Sequence, residues 1–376
     1  MTIHSRRLLI VEDDPDQQEL WRRDIDEFNK NPDRKLTFDI YKAKSVAEAD
    51  QILEEINIEC AIVDLRLPPE GDKAVSAAAG KELRSYIEKT FPIPAVIHSA
   101  HIGELDEAGL NSLMKSFTKD AGKTTEILEW FAEKDQLMEA LATTNKRVKE
   151  ETARVLHGSI WPRWEAAKKL EQVPKRFEDI VTRQVVSHLA EQFSLPLENV
   201  PAHHLHEFYY VPPIRERLHT GDLVRIGDIV HVIVTPQCDI VNSYPANFLL
   251  AKCLSEHEEW NVIESAVAKN KGKVGKNTKE RIGKIATHGR DQRFHFLPPC
   301  GDNGGPWFVD FKEIITMDQS CAEELLENRF ASIAAQFVPN LIHRFAAFIG
   351  RIGQPELDIE ALAEHLAEDY ASKQAD

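Results

Sequence analysis

The sequence predicts an α/β domain joined by a long helix to an α+β domain, and three observations support this fold class. Strand-like apolar runs alternate with helical patterns over residues 6–130, which is typical of a doubly wound five-stranded parallel sheet with helices on both faces. Apolar residues recur at three- and four-residue intervals over residues 124–160, which indicates a helix. Short strands and glycine- or proline-containing turns fill residues 208–311, which favours a small, partly open β-barrel or sandwich.

Five strands are expected in the N-terminal domain, which we place at residues 1–123. In chain order, the apolar runs that predict them are RLLIV, LTFDIYKA, CAIVDL, PAVIHSA and SLMKSFTK. Helical patterns lie between them, and Ser45 followed by Glu48 is a capping-box pattern that begins the second helix. In parallel sheets of this kind, ligands bind at the carboxyl ends of the strands.

The connecting segment is placed at residues 124–165, with one helix that ends at Trp161 and Pro162. An apolar seam with two polar positions runs along it, formed by Ile127, Phe131, Met138, Leu141, Asn145, Val148, Thr152 and Val155. Such a seam predicts a two-stranded coiled coil, and hence a homodimer whose register is set by the polar positions. An amphipathic helix that lies on its own domain explains the same spacing, so both interpretations stay open.

The C-terminal domain is placed at residues 166–376, with helices on both sides of the β-rich core at 208–311. Residues 163–195 and 320–372 have helical patterns, and Pro339 interrupts the second of them. GDIVHVIVTPQCDIV and the later RFHFLPP and VDF resemble an uncharacterised bacterial domain family, and this resemblance implies no activity.

Composition limits the classes of function. The chain has 376 residues, 42% of them hydrophobic, and a net charge of −16, which argues against general adhesion to nucleic acid or anionic membranes. No apolar run approaches the roughly 18 residues of a membrane span, and the N-terminus does not resemble a signal peptide. The five cysteines form no CxxC pair, so we expect reduced thiols and a cytoplasmic protein.

Acidic residues follow two of the predicted strands. Glu12 and Asp13 end the first strand, and Asp64 ends the third. The ends of these strands are neighbours in a doubly wound sheet, so three carboxylates should converge in one crevice. Such a group of hard oxygen ligands suits Mg²⁺, whose charge offsets their repulsion.

Two further polar residues end the fourth and fifth predicted strands. The hydroxyl of Ser99 can bond a phosphoryl oxygen, and the ammonium group of Lys119 can pair with another. With the acidic crevice, these groups suit formation of an acyl phosphate on Asp64, whose carboxylate attacks phosphorus in line.

The motifs that contain these residues resemble those of a known family. LLIVEDDP, AIVDLRLPP, GKELRSYI, VIHSA and FTKDAG occur in the order found in the receiver (CheY-like) domains of two-component response regulators. The resemblance implies that Asp64 is the phosphoacceptor and that Glu12, Asp13, Asp64 and the backbone carbonyl of Arg66 hold Mg²⁺. It also implies that Ser99 is the switch hydroxyl and Lys119 the phosphoryl-binding lysine. A histidine kinase or phosphotransfer protein would be the phosphodonor.

Several positions depart from the family pattern. EGDKAVSAAA is an insertion before the third helix, and the segment between Ser99 and Lys119 is short. Asp120 stands where many relatives have proline, and Ser116 stands where an aromatic residue is usual. Lys115 competes with Lys119 for the lysine role, although the KDAG context favours Lys119.

Two motifs in the C-terminal domain have a chemical and a structural interpretation. Cys238 and Asp239 follow a predicted strand and could form a catalytic site with a nearby histidine, although a half-buried thiol at a strand end explains them too. The histidines of HHLHE at 203–207 suit Zn²⁺, but their spacing is not that of a standard ligand pair, so a surface cluster is favoured.

A basic run at residues 269–293 contains nine basic and two acidic residues. Its glycines predict a flexible loop. The run could contact phosphate groups or nucleic acid, contact the acidic surface of the protein, or stay solvated. The candidate phosphate contacts are Lys271, Lys273, Lys276, Lys279, Arg281 and Lys284.

The sequence therefore predicts a phosphorylation-controlled response regulator whose C-terminal part is an interaction module with an unidentified partner. The alternative is a receiver-regulated hydrolase or nuclease that acts on nucleic acid or nucleotides. A transcription regulator is a third, less favoured hypothesis, because the phenylalanines after residue 320 are typical of core packing.

Overall fold

The computed structural model divides into two compact units, Met1–Glu198 and Asn199–Asp376. The first unit thus includes the segment predicted to connect the domains. The structure describes residues 4–67, 77–100, 113–120, 122–168, 177–194, 202–242, 244–287, 291–351 and 356–374. Most of the predicted insertion after Pro69 and most of the segment between Ser99 and Lys119 lie outside these residues, whereas the last three residues of the insertion, 77–79, begin a helix.

The first unit contains the predicted parallel sheet. Its strands are β1 (His4–Val11), β2 (Leu36–Ala43), β3 (Cys60–Val63), β4 (Ala95–Ser99) and β5 (Met114–Thr118). They pair in parallel in the order β2-β1-β3-β4-β5. The strand order places the carboxyl ends of β1, β3 and β4 side by side, and the predicted five-stranded sheet is confirmed.

Helices cover both faces of this sheet. They are α1 (Pro15–Asn29), α2 (Val46–Glu55), α3 (Ala77–Thr90) and α4 (Lys123–Ala132). The N-cap Ser45 accepts a hydrogen bond from the backbone N–H of Glu48, as the capping-box pattern predicts. Trp21 and Ile25 of α1 and Phe131 of α4 pack with one face, whereas α2 and α3 pack with the other, so each face has its own apolar core.

The long helix predicted over residues 124–160 is present as two helices. A turn at Glu133 and Lys134 separates α4 from α5 (Asp135–Val155), and a π-helical segment (Leu156–Ile160) leads into α6 (Trp161–Lys168). The helical path therefore continues past Pro162. Proline is tolerated there because it lies at the second position of α6, directly after the wider π turn. A further helix, α7 (Phe177–Ser194), packs on α5.

The predicted seam of the connecting segment is partly a core of its own unit. Ile127, Phe131 and Met138 are buried in the core beneath α1 and α4, and Val155 is also buried. By contrast, Val148 is exposed. The first half of the seam thus fits the amphipathic interpretation, and the coiled-coil dimer stays a prediction.

The second unit is built on one antiparallel sheet of seven described strands. They are β6 (Tyr209–Tyr210), β7 (Asp222–Ile226), β8 (Ile229–Ile233), β9 (Asn247–Leu254), β10 (Phe294–Leu297), β11 (Trp307–Asp318) and β12 (Arg329–Ile333). Their order is β10-β11-β9-β8-β7-β12-β6. The hydroxyl of Tyr209, on one edge strand, donates to the carbonyl of Pro298 at 2.7 Å, directly after the other edge strand. This bond joins the two edges of the sheet, which favours the barrel over the sandwich. The predicted bounds of the β-rich core, 208–311, are too narrow, because β12 lies in the segment predicted to be helical and pairs with β7 and β6.

Six α-helices accompany this sheet in the described residues. They are α8 (Gln237–Asn242), α9 (Glu258–Lys269), α10 (Lys276–Ala286), α11 (Ala322–Glu327), α12 (Val338–Ile349) and α13 (Ile359–Gln374). Leu341 and Phe348 of α12 are buried in the sheet's core. Gly221 has φ +89°, and a Cβ there would lie 2.9 Å from a methyl group of Val338, so the close approach of α12 requires glycine.

The prediction of a flexible loop within residues 269–293 is wrong for most of this segment. Lys269 ends α9, a short turn follows, and α10 occupies Lys276–Ala286. The helix forms in spite of the glycines because Ile282 and Ile285 share one side of α10 with Thr278, and because α10 packs on α9.

Within the described part of the chain, no helix combines the length and apolar character that crossing a membrane would require.

Candidate metal and phosphoryl site

Three carboxylates converge at the carboxyl edge of the parallel sheet. Val11 pairs with Val63 in the register of β1 and β3, so Glu12 and Asp64 leave adjacent strands side by side. Ligand oxygens of Glu12, Asp13 and Asp64 all lie within 4.8 Å of one another, and this is the one such group of metal-ligand residues that the described residues form. Glu12 and Asp64 are buried, and Asp13 is half-buried.

Lys119 places a cation between two of these carboxylates. Its Nζ lies 2.7 Å from Oε2 of Glu12 and 2.7 Å from Oδ2 of Asp64. Burial lowers the pKa of Lys119, but the hydrogen bonds that its ammonium group donates to Asp64 and Glu12 outweigh burial and raise the pKa overall. The lysine therefore stays charged. Lys115 is elsewhere, with its Nζ 4.7 Å from the centre of the Phe117 ring.

Burial makes the negative charge of Glu12 costly. The residue is 2% exposed. Desolvation raises its pKa, and the neighbouring charge of Lys119 offsets this only in part. One lysine thus faces three carboxylates, and a divalent cation with oxygen ligands would supply the missing positive charge. The residues present fit Mg²⁺, which binds to one or two carboxylates and keeps several waters.

Arg66 and Ser99 lie at the same edge of the sheet. The backbone N–H of Arg66 donates to Oδ1 of Asp64 at 3.4 Å, so the chain turns tightly around that carboxylate. Ser99 ends β4, the strand next to β3, and is 1% exposed. The roles that the resemblance implies for Arg66 and Ser99 stay predictions.

His98 is a feature of this region that the sequence analysis missed. It is 2% exposed, and its ring packs edge-on against Trp21 with centroids 5.1 Å apart. Neither ring nitrogen has a hydrogen-bond partner among the described residues. Burial, with a smaller contribution from the charge of Lys119, lowers the pKa of His98 to about 4.

We expect His98 to make the stability of the chain sensitive to acid. The ordinary histidine pKa of 6.5 applies to the unfolded chain, against about 4 in the fold. The contribution of neutral His98 to the free energy of unfolding is therefore fully present above pH 6.5. It is lost as the pH falls towards 4, because in this range only the unfolded state binds the proton. The loss amounts to about 2 kcal/mol at about pH 5. Urea unfolding at neutral and acidic pH should show a smaller acid loss for His98→Phe than for the wild type; equal losses would contradict this expectation.

The candidate residues of the second unit do not form a catalytic arrangement in the described residues. Cys238 is exposed at the start of α8, and its Sγ lies 3.4 Å from Oδ1 of the exposed Asp239. No shown contact joins either residue to a histidine. Nδ1 of His203 instead lies 2.7 Å from Oε2 of Glu207, while His204 caps a short 3₁₀ turn. The HHLHE histidines thus make local surface contacts.

The predicted phosphate contacts are all exposed. Lys271 and Lys273 lie in the turn between α9 and α10, whereas the others are on α10. These others are Lys276, Lys279, Arg281 and Lys284.

Buried ion pairs are a further feature that the sequence analysis missed. Arg6 of β1 bonds to Glu59 at 3.1 Å and to Asp135 at 2.8 Å. In the second unit, Arg329 bonds to the fully buried Asp222 at 3.1 Å. Arg6 lies just before the apolar run of β1, and Arg329 lies in a segment predicted to be helical, so no local pattern pointed to either ion pair.

Comparisons with known proteins give matches in structure only. No protein-family model matches the chain, and no curated protein matches it. One similar solved structure is a CheY-like receiver domain protein from Methanospirillum hungatei, 20% identical, with a TM-score of 0.28, covering 36% of this chain and 98% of that one. A second is the receiver domain of NtrX from Brucella abortus, 18% identical, with a TM-score of 0.26, covering 34% of this chain and 98% of that one.

A third similar structure is the response regulator TrrA from Thermotoga maritima, solved in complex with Mg²⁺ and BeF. It is 19% identical, with a TM-score of 0.24, and the match covers 37% of this chain and 97% of that one. At these identities the comparison concerns fold alone. The strand order β2-β1-β3-β4-β5 with helices on both faces is the doubly wound arrangement that CheY-like domains share with flavodoxin.

Proposed function

We propose that the chain is a response regulator of a two-component system whose receiver domain is phosphorylated on Asp64. One observation carries the proposal. Glu12, Asp13 and Asp64 meet within 4.8 Å, and the Nζ of Lys119 lies 2.7 Å from Asp64. Purely structural carboxylates would be better paired, since a crowded acidic group with one cation is costly to bury.

The proposed reaction transfers a phosphoryl group to the Asp64 carboxylate. An oxygen of Asp64 forms the new bond to phosphorus while the bond from phosphorus to the donor breaks, and the donor leaves with the electron pair. The donor atom is a histidine nitrogen of a kinase or phosphotransfer protein, or an acyl oxygen of acetyl phosphate. Lys119 pairs with a phosphoryl oxygen as charge develops there, and Ser99 donates its hydroxyl hydrogen to another.

Glu12, Asp13, Asp64 and the backbone carbonyl of Arg66 would hold Mg²⁺. The ion would neutralise negative charge on the transferring group. Asp64 would thus be both ligand and acceptor, which explains why Glu12 and Lys119 crowd around it.

The C-terminal unit is proposed to be the output module. Phosphorylation would shift the receiver between two packings, and the helices after α4 would carry that shift onward. Among the described residues, no histidine contacts Cys238 or Asp239 to serve as the base of a catalytic nucleophile, so the interaction module is favoured over a hydrolase or nuclease. A homodimer through residues 124–160 belongs to the same proposal.

Acetyl phosphate provides the direct test on the full chain. In the presence of Mg²⁺, intact mass spectrometry should show the mass of one added phosphoryl group, and hydroxylamine should remove it as expected for an acyl phosphate. A chelator should prevent the addition. If the mass does not change under any Mg²⁺ concentration, the proposal fails. Size-exclusion chromatography of the same samples measures whether the oligomeric state follows phosphorylation.

A further inference from the structure

We propose that the turn and second helix of the α9–α10 hairpin bind the phosphate backbone of double-stranded nucleic acid. We call residues 269–286 the basic hairpin. This surface is independent of the acidic site around Asp64, and it gives the C-terminal unit a ligand class.

Charge sets the basic hairpin apart from the rest of the chain. It contains seven basic residues and one acidic residue, Glu280, in a protein with a net charge of −16. Such a local reversal of sign attracts polyanions even when the whole protein is acidic.

The cations lie on the free side of α10. Thr278, Ile282 and Ile285 share one side of α10 and are half-buried, and α10 packs on α9. Every basic side chain of α10 is exposed, and Lys284 also lines a cleft beside α9. Lys276 and Lys284 are separated by about 12 Å along the helix axis at the usual rise of 1.5 Å per residue. That separation is similar to the width of about 12 Å of the major groove of B-form DNA.

No shown ion pair within the described residues neutralises these cations. Elsewhere on the surface, Lys123 bonds to Glu126 at 2.6 Å and Arg154 to Glu151 at 2.6 Å. Lys271 moreover has φ +52° in the turn, a conformation that glycine or asparagine adopts more easily. The hairpin therefore keeps a group of cations that repel one another. A row of phosphates would relieve this repulsion, and binding would release the counterions condensed on the nucleic acid.

The surroundings favour backbone contact over base stacking. Phe294, Phe296 and Phe308 line a cleft near Lys284, but four acidic residues line it too and would repel phosphates. These acids are Glu256, Glu258, Glu259 and Asp291. A single strand stacked in that cleft is thus disfavoured, and binding to a duplex should be independent of sequence.

A membrane surface fits less well. The exposed side of α10 carries no apolar side chain larger than alanine, so it lacks the apolar face with which interfacial helices enter a bilayer. Nucleic acid is therefore the polyanion to which we commit.

Fluorescence anisotropy of the full chain with short labelled duplexes of two unrelated sequences tests the proposal, with and without acetyl phosphate. We expect similar affinity for both duplexes. If four cations contact phosphates, affinity should fall about 100-fold between about 50 and 200 mM salt. The K276E/K279E variant should bind about tenfold more weakly or worse, and its log–log salt slope should be shallower by about 2.

The matched control is K30E/K44E, which makes the same charge change at two exposed lysines of the receiver domain. It should bind like the wild type. Carboxylates in the first turn of α10 are favoured by the helix dipole, so K276E/K279E should fold normally, as checked by circular dichroism. Equal losses in both variants, binding only to anionic lipid vesicles, or no duplex binding in either phosphorylation state would overturn the proposal.

Discussion

Replacing Asp64 by Asn is expected to abolish phosphoryl transfer to the chain. The amide lacks the anionic oxygen that would attack phosphorus, and the other carboxylates of the group are proposed as metal ligands. Intact mass spectrometry after treatment with acetyl phosphate and Mg²⁺ should show the added phosphoryl group in the wild type and none in Asp64→Asn. Removal of a nucleophile lowers the rate by several orders of magnitude, so the contrast should be complete.

Two controls make this result specific. Asp39→Asn makes the same chemical change on the exposed side of β2 and should be phosphorylated like the wild type. Asp64→Asn should also unfold at no lower urea concentration than the wild type, since one repelling charge next to Glu12 is gone while Lys119 keeps its bond to Glu12. Undiminished labelling of the variant would move the acceptor to another residue and refute the assignment.

Arg6→Ala is expected to destabilise the receiver domain by about 3–5 kcal/mol. Arg6 is 4% exposed, and its guanidinium bonds to Glu59, Asp135 and Glu139. Without it, the 7%-exposed Glu59 would remain buried and lose one of its two arginine partners. Asp135 and Glu139 belong to the start of α5, so the variant should also loosen this helix from the sheet. Urea unfolding followed by circular dichroism measures the loss of stability.

A double replacement separates charge from packing. Arg6→Met with Glu59→Gln removes the arginine and the buried charge together, so it should cost much less than Arg6→Ala. Arg22→Ala is the surface control, because Arg22 and its partner Glu19 are both exposed, and it should change stability by about 0.5 kcal/mol or less. If Arg6→Ala behaves like Arg22→Ala, the buried network does not hold α5.

The parallel sheet and its acidic edge could be predicted because the signals are local. Each strand is a short apolar run followed by its polar residue, and the alternation with helices allows few topologies. The adjacency of the first and third strands therefore predicts that Glu12, Asp13 and Asp64 lie together at the carboxyl edge of the sheet. The KDAG context already favoured Lys119 over Lys115, because this motif resembles that of the receiver family.

Other features escaped because distant residues decide them. The break between α4 and α5 leaves the heptad-like spacing intact, so the pattern could not reveal it. The basic segment has four glycines and reads as a loop, yet packing on α9 makes most of it helical. His98 stands within an apolar run and Arg6 directly before one, and nothing local distinguishes either residue. Their environments are set by residues distant in sequence, namely the ring of Trp21 and the acidic side chains of α5.

Local patterns in the chain specify the layered α/β fold and the residues of its acidic crevice, since periodicity and strand-end chemistry are encoded within a few neighbouring positions. Which charges are paired and which are left free depends instead on the three-dimensional fold. Pairing depends on side chains that approach each other across the fold, as Glu12 approaches Lys119 and Asp135 approaches Arg6. In the part of the chain that the structure describes, no acidic side chain forms such an ion pair with the cations of α10. Burial sets the free energy of each pair, because a charge away from water is costly when unpaired and interacts strongly with a charged neighbour.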